Sequence, residues 1–424
     1  EATGTVSPMI YVLPQGFNSY YVNKYDGSFD YMKMFVNELV PYIDKTYRTI
    51  ADRDHRAVVG YSMGGFGAMV IPSMNPSVFS VSVPLSMSFR TDAQYTTEPA
   101  DGWNKQWGSI FGGYGLLGEA RLTAYYKSLC PLHFFTKASA SSFSRMHYFL
   151  DCGDDEEQLS VGNDELHLLM RDLGIDHEYR VRNGAHTSAY WRSAMKEVLP
   201  FIESCFNSRT YKKEDTISVG SSYAATLEQK QTDGVQTTVF LPSGYNAAAS
   251  ASYPIVYLAH NGLDLSKEKE VMAMLDAVQQ NAPFILVSFN QADMSGKSFK
   301  DWAVAVEQQY KTGGSSAMRI GLGAGMGGKL LFEASTNTDC FFKSVYLFDA
   351  AIDDVSMNPN PGTFYYIDIT DQGTHCKGAD LLYLTCRNQS ISHEYRVRNG
   401  QDSYLSFLSG LQSIKTLLTS NLKH

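Results

Sequence analysis

Apolar residues in this chain fall into short, strand-sized runs separated by stretches with helical spacing. "HYFLDCGDD" (147–155) and "FYYIDITDQ" (364–372) are rich in aromatics and Ile/Leu and close on acidic turns, which predicts buried strands. Phe284-Ile285-Leu286-Val287 is another run of this kind. "NDELHLLMRDLGI" (163–175) has helical spacing. The amphipathic tails "YWRSAMKEVLPFIESCF" (190–206) and "YLSFLSGLQSIKTLLTSNL" (404–422) predict two more helices. "HRAVV" (55–59) predicts a strand and "GFGAMVIPSM" (65–74) a helix. This alternation predicts an α/β fold: mostly parallel sheets with helices on both faces. No apolar run approaches the ~20 residues of a membrane-spanning helix, so no membrane partner is expected.

The same elements come twice. The octapeptide "HEYRVRNG" occurs at His177–Gly184 and at His393–Gly400. Upstream of it, "AVVGYSMGGFGAMVI" (57–71) parallels "RIGLGAGMGGKLLFEA" (319–334), and "PMIYVL" (8–13) parallels "PFILVSF" (283–289). The order is the same in both halves, the signature of an internal repeat. The polar stretch "NSRTYKKEDT" (207–216) suits a linker. Two domains are therefore expected, 1–208 and 209–424. The second half carries about 70 residues before its Pro283 strand, by the repeat alignment. Its segment "TTVFLPSGYNAAASASYPIVYLAHNG" (237–262) has no partner in the first half. The first domain is thus expected to lack its N-terminal strands, with an upstream segment or a second chain completing it.

A net charge of −9 with no basic run argues against a nucleic-acid partner. The six cysteines (130, 152, 205, 340, 376, 386) lack CxxC spacing, so a disulfide framework is not expected, although Cys130 and Cys152 could pair.

"GYSMGG" (60–65) places Ser62 in a G-x-S-x-G pattern between a predicted strand and a predicted helix. A bland small-residue turn fits the glycines alone. The flanks favour a nucleophile elbow, where a tight turn exposes the serine and the helix N-terminus faces a developing oxyanion. Met63, the next residue, would offer its backbone N–H. A serine needs a base, and the base an orienting acid, in the chain order Ser, Asp/Glu, His. The acidic turn "LDCGDDEEQ" (150–158) and His186 in "NGAHTSAYW" satisfy that order. His147 and His177 lie in strand-like runs and His167 in a helix-like one, where a structural role is the better assignment; His133 is a further competitor. An EF-hand spacing is absent from the acidic run, and neither a metal nor a cofactor is expected.

"GYSMGGFGAM", "LDCGDDEE" and "GAHTSAYW" resemble the esterase branch that includes the feruloyl and acetyl-xylan esterases of carbohydrate esterase family 1. S-formylglutathione hydrolases and mycolyltransferases are more distant relatives. The resemblance covers nearly all of 7–206, including "YVLPQGFNSYYVN" and "ELVPYIDKTYRT". It implies two tandem α/β-hydrolase domains, the second degenerate, and a secreted or periplasmic location. The family sets its acid three residues after the glycine of a Gly-x-x-Asp turn. Here that position is Glu156, while Asp155 lies one residue earlier; both are carried as the triad acid. A second oxyanion donor, at a His-Gly motif, is expected in the segment the first half does not contain. Losing one such donor typically costs roughly 100- to 1000-fold in rate. The aromatic stretch "DGWNKQWGSIFGGYG" (101–115) lies over the active site in the family. It could line a groove for a phenolic acyl group or a sugar ring, or serve as ordinary packing.

In the second half Gly325 stands at the position of Ser62 and Asp402 at that of His186. Thr370 replaces Gly153, while Asp371 is kept. Gly323-x-Gly325-x-x-Gly328 matches a dinucleotide fingerprint and, with Lys329, approaches a P-loop; Leu330 breaks the latter. The repeat explains these glycines without a phosphate. "YLAHNG" (257–262) matches the strand ending in the oxyanion His-Gly. Two functions follow as expectations. One is a serine ester hydrolase acting through an acyl-enzyme, on feruloyl or acetyl esters of plant polysaccharide. The other is a non-catalytic carbohydrate-binding or scaffolding protein of esterase fold.

Overall fold

The computed structural model describes residues 6–211, 217–250, 252–336, 339–353 and 356–423. The chain divides into two compact units, Glu1–Lys212 and Lys213–His424. Of the expected linker 207–216, residues 212–216 lie outside the described residues. No helix among the described residues is long and apolar enough to cross a membrane.

The described residues of the first unit form four strands: β1 (Ala57–Tyr61), β2 (Val81–Leu85), β3 (His147–Gly153) and β4 (Glu178–Arg182). They pair in chain order and all in parallel. Parallel neighbours need crossovers, and helices supply them. Helix α1 (Met63–Met74) follows β1, α2 (Glu157–Asp172) follows β3, and α3 (Ser188–Phe206) follows β4. Residue parity separates the two faces of this sheet. Val81, Val83, Leu85 and Phe149 pack against Ala194, Val198, Phe201 and Ile202 of α3. On the opposite face the Ser82 hydroxyl donates to the Ala68 carbonyl of α1 at 2.7 Å, and Tyr148 meets Ser73 of α1 at 3.1 Å.

The described residues of the second unit form eight strands. They are β5 (Thr226–Thr232), β6 (Val235–Leu241), β7 (Ile255–His260), β8 (Ile285–Asn290), β9 (Arg319–Ala324), β10 (Ser344–Phe348), β11 (Phe364–Thr370) and β12 (His393–Arg398). Their spatial order is β5-β6-β8-β7-β9-β10-β11-β12; only the β5–β6 and β6–β8 pairs are antiparallel. Helix α4 (Leu265–Asn281) and α8 (Tyr404–Lys423) cover one face, over Val256, Leu258, Ile320 and Leu322. On the other face Tyr257 and Phe289 meet Trp302 of α5 (Phe299–Glu307). Helices α6 (Met326–Ser335) and α7 (Cys376–Asn388) follow β9 and β11.

The structure decides three points. "PMIYVL" (8–13) forms no strand, although its counterpart forms β8. In the second unit β8 is held between β7 and β6. The described residues of the first unit contain no counterpart to those two strands, so 8–13 has no ladder to join, and Leu13 is 94% exposed. Cys130 and Cys152 are not disulfide-bonded. Finally, the tryptophans of the aromatic stretch are packing: Trp103 and Trp107 are fully buried, and the Trp103 indole donates to the Gly113 carbonyl at 2.8 Å. With their rings turned inward, these tryptophans line no groove.

Candidate active site

Strand β1 ends at Tyr61 and α1 begins at Met63, so Ser62 carries the whole turn, at φ 56° and ψ −122°. A side chain in this region is strained and persists only where the surroundings over-determine it. Three backbone bonds do so. Ser62 N–H donates to the Leu85 carbonyl at 3.0 Å. The Ser62 carbonyl accepts from Ser88 N–H at 3.0 Å and Phe66 N–H at 3.2 Å. The flanking glycines are steric requirements: a Cβ on Gly60 would lie 2.1 Å from the Gly64 carbonyl oxygen, and one on Gly65 would lie 2.7 Å from that of Leu85. Met63 N–H sits in the first turn of α1, where a helix has no internal acceptor for it.

The loop after β4 brings His186 to this turn. Its Nε2 lies 2.8 Å from Ser62 Oγ, and its Nδ1 lies 2.7 Å from Glu156 Oε2. The carboxylate accepts, which assigns the proton to Nδ1 and leaves Nε2 to accept from the serine hydroxyl. The Glu156 side chain is fully buried and that of His186 is 37% exposed. Burial is compensated at the second carboxylate oxygen: Oε1 accepts from Gly153 N–H at 3.0 Å and from Ser86 Oγ at 2.5 Å. Asp155 is exposed and contributes its backbone N–H to the Gly184 carbonyl at 3.2 Å. The carboxylate on His186 is therefore Glu156, not Asp155. Asp154 accepts from Gly184 N–H at 3.1 Å, tying the acidic turn to the histidine loop.

The competing histidines stand elsewhere. His133 pairs with Asp92 at 2.9 Å, and His167 with His177 at 2.8 Å. His147 opens β3. Two residues that sequence patterns miss join the site instead. Ser86, just beyond β2, bonds Glu156; Trp191, in α3, donates its indole N–H to Ser86 Oγ at 2.7 Å. A signal for them existed in the internal comparison. The positions matching Ser86 and Trp191 are Asp349 and Phe407, so both change where the serine and histidine change.

In the second unit Gly325 adopts φ 55° and ψ −125°, the conformation of Ser62. The same backbone bonds recur: Gly325 N–H to the Phe348 carbonyl at 3.1 Å, and Ala351 N–H to the Gly325 carbonyl at 2.9 Å. The side chains differ. Asp349 accepts from Thr370 and Ser406 hydroxyls at 2.8 and 3.0 Å, and Asp402 is exposed. His260 is buried against Glu268 at 3.2 Å and accepts from Leu263 N–H at 3.0 Å.

Comparison with known proteins places the chain in a family. Residues 4–225, just over half of the 424, match the family model Esterase. An endo-1,4-beta-xylanase/feruloyl esterase of Xylanibacter ruminicola is 35% identical over 81 residues, covering 18% of this chain and 11% of that protein. Esterase MT1326 of Mycobacterium tuberculosis is 38% identical over 66 residues, covering 15% of this chain and 14% of that protein. The matched stretches thus span only about a tenth to a seventh of these curated relatives. Among solved structures, a ferulic acid esterase superposes with a TM-score of 0.40 at 15% identity, over 47% of this chain and 98% of its own. With its family model matched over more than half its length, the chain belongs to the Esterase family.

Proposed function

We propose that the first unit is a serine ester hydrolase. The observation that carries this is the continuous line Ser62 Oγ, His186, Glu156, with hydrogen-bond distances of 2.8 and 2.7 Å. Ser62 attacks the ester carbonyl while His186 Nε2 takes its proton. Met63 N–H faces the oxyanion of the tetrahedral intermediate. His186 then returns the proton to the departing alkoxide, leaving an acyl-Ser62. Water, deprotonated by the same imidazole, releases the acid and restores the serine. Buried Glu156 stabilises the imidazolium through its Oε2. The steps draw on side chains, backbone and water alone.

The substrate we propose is a feruloyl or acetyl ester of plant polysaccharide. Support comes from the motif resemblance and from the feruloyl esterase activity in the name of the Xylanibacter ruminicola relative. The second unit we propose to be non-catalytic, a degenerate copy, because Gly325 supplies no nucleophile and Asp402 no base. Hydrolysis of p-nitrophenyl acetate, methyl ferulate and acetylated xylan by wild type and Ser62→Ala tests the proposal. Wild-type activity lost in the variant is expected. Full activity in Ser62→Ala would overturn it. Retention of oligosaccharide without hydrolysis would favour a binding protein.

A further inference from the structure

Only one oxygen of Glu156 faces His186. A glutamate carboxylate turns about a broad, two-fold terminal torsion, so one contact at Oε2 does not fix its plane. The other oxygen does. Oε1 receives Ser86 Oγ at 2.5 Å as well as Gly153 N–H. Ser86 is itself immobilised: its φ is 47°, and its backbone N–H donates to the Asp151 carbonyl at 2.6 Å. Its hydroxyl proton is directed by a third group. Because Trp191 Nε1–H donates to Ser86 Oγ at 2.7 Å, the hydroxyl must spend its own proton on Glu156.

Trp191 also touches the far end of the same line. Its ring stands edge-to-face with His186, centroids 4.8 Å apart at 88°, and stacks on Tyr61 at 4.1 Å and 15°. One side chain therefore braces the imidazole by contact and the carboxylate through a hydrogen-bond relay.

We infer that Trp191 and Ser86 are positioning residues for the Glu156 carboxylate: the relay Trp191 Nε1–H to Ser86 Oγ–H to Glu156 Oε1 turns Oε2 onto His186 Nδ1. This rests on the serine hydrolase proposal. The second unit separates the relay from folding. It keeps the turn conformation and its backbone bonds, yet has Asp349 at the position of Ser86 and Phe407 at that of Trp191. The turn thus forms without the relay, and the relay is absent where nucleophile and base are absent.

The test is a double-mutant cycle on the full chain with Trp191→Phe, which keeps a ring and removes the N–H, and Ser86→Ala. Each is expected to lower kcat about tenfold or more, the value of a hydrogen bond to a charged group, with KM unchanged. The double variant is expected to be no slower than Ser86→Ala, because both act through one oxygen. A second readout needs no turnover: the downfield proton resonance of His186 Nδ1–H bonded to Glu156 is expected in wild type and shifted upfield in Trp191→Phe. Wild-type kcat with an unshifted resonance in Trp191→Phe, or effects that multiply in the double variant, would overturn the inference. Ser62→Ala run alongside distinguishes the two claims. Full hydrolysis in that variant sinks the serine mechanism, and the resonance still decides the relay.

Discussion

Ser62 and Gly325 hold the same backbone conformation, φ 56° and ψ −122° against φ 55° and ψ −125°. Glycine adopts such a turn without steric cost and serine does not. The strain at Ser62 is thus a cost of presenting a hydroxyl at this turn, and the second unit has shed it. Ser62→Ala keeps the Cβ and the strain, whereas Ser62→Gly removes both. Both variants are expected to be inactive, and Ser62→Gly to be more stable than Ser62→Ala by about 1 kcal/mol. Urea denaturation of the two side by side measures this; equal midpoints would remove the strain argument.

Glu156 and Asp155 are adjacent in sequence and opposite in environment. The first is buried with three donors on its carboxylate; the second is exposed. Glu156→Gln keeps the shape but loses the charge that stabilises the imidazolium. Its kcat is expected to fall on the order of 10⁴-fold. Asp155→Asn is expected to stay within about twofold, as surface substitutions do. Steady-state kinetics on p-nitrophenyl acetate decides between them, and a reversed result would reassign the acid.

Ser62 and His186 were legible because each sits in a local pattern, and the acid was legible only as the turn that carries Asp155 and Glu156. The elbow needs glycines at fixed offsets between a strand and a helix, and those are read directly as Gly60, Gly64 and Gly65. His186 and Glu156 each follow a strand end. The relay residues have no such pattern. Ser86 meets Glu156 only because β2 lies beside β3, and Trp191 meets Ser86 only because α3 crosses that strand end. The repeat parallel misled at 8–13, since a strand is a pairing and not a property of one segment. Aromatic richness left Trp103 and Trp107 open between a groove and packing, since composition does not say which way a ring turns.

Gly153 sets how closely β3 approaches the histidine loop. A Cβ there would lie 2.0 Å from the Gly184 carbonyl oxygen and 3.1 Å from Glu156 Oε1. The loop must retreat, carrying His186 away from Ser62. Gly153→Ala is expected to lower kcat about 100-fold, the effect of a misplacement near 1 Å, and to destabilise by about 1–3 kcal/mol. Thermal melting and kinetics together check it. A variant that melts lower yet keeps its kcat would show that the loop can move without taking His186 along.

The first residue of the repeated octapeptide gives a pH dependence with a definite sign. His177 Nδ1–H donates to the Ile175 carbonyl at 2.7 Å, and its Nε2 accepts from His167 Nδ1–H at 2.8 Å. The bond from His167 requires a neutral His177; a second proton would set N–H against N–H. Burial pushes this imidazole from 6.5 down to about 4, outweighing the Ile175 bond, and burial lowers His167 as well. Between those pH values the unfolded chain binds the proton and the folded one does not. Stability is therefore full above about pH 6.5 and is lost as the pH falls toward 4. From pH 7 to pH 5 the loss from His177 alone is about 2 kcal/mol. Urea midpoints across that range should fall, and His177→Gln should reduce the slope. An unchanged slope in the variant would mean that other groups govern the acid sensitivity.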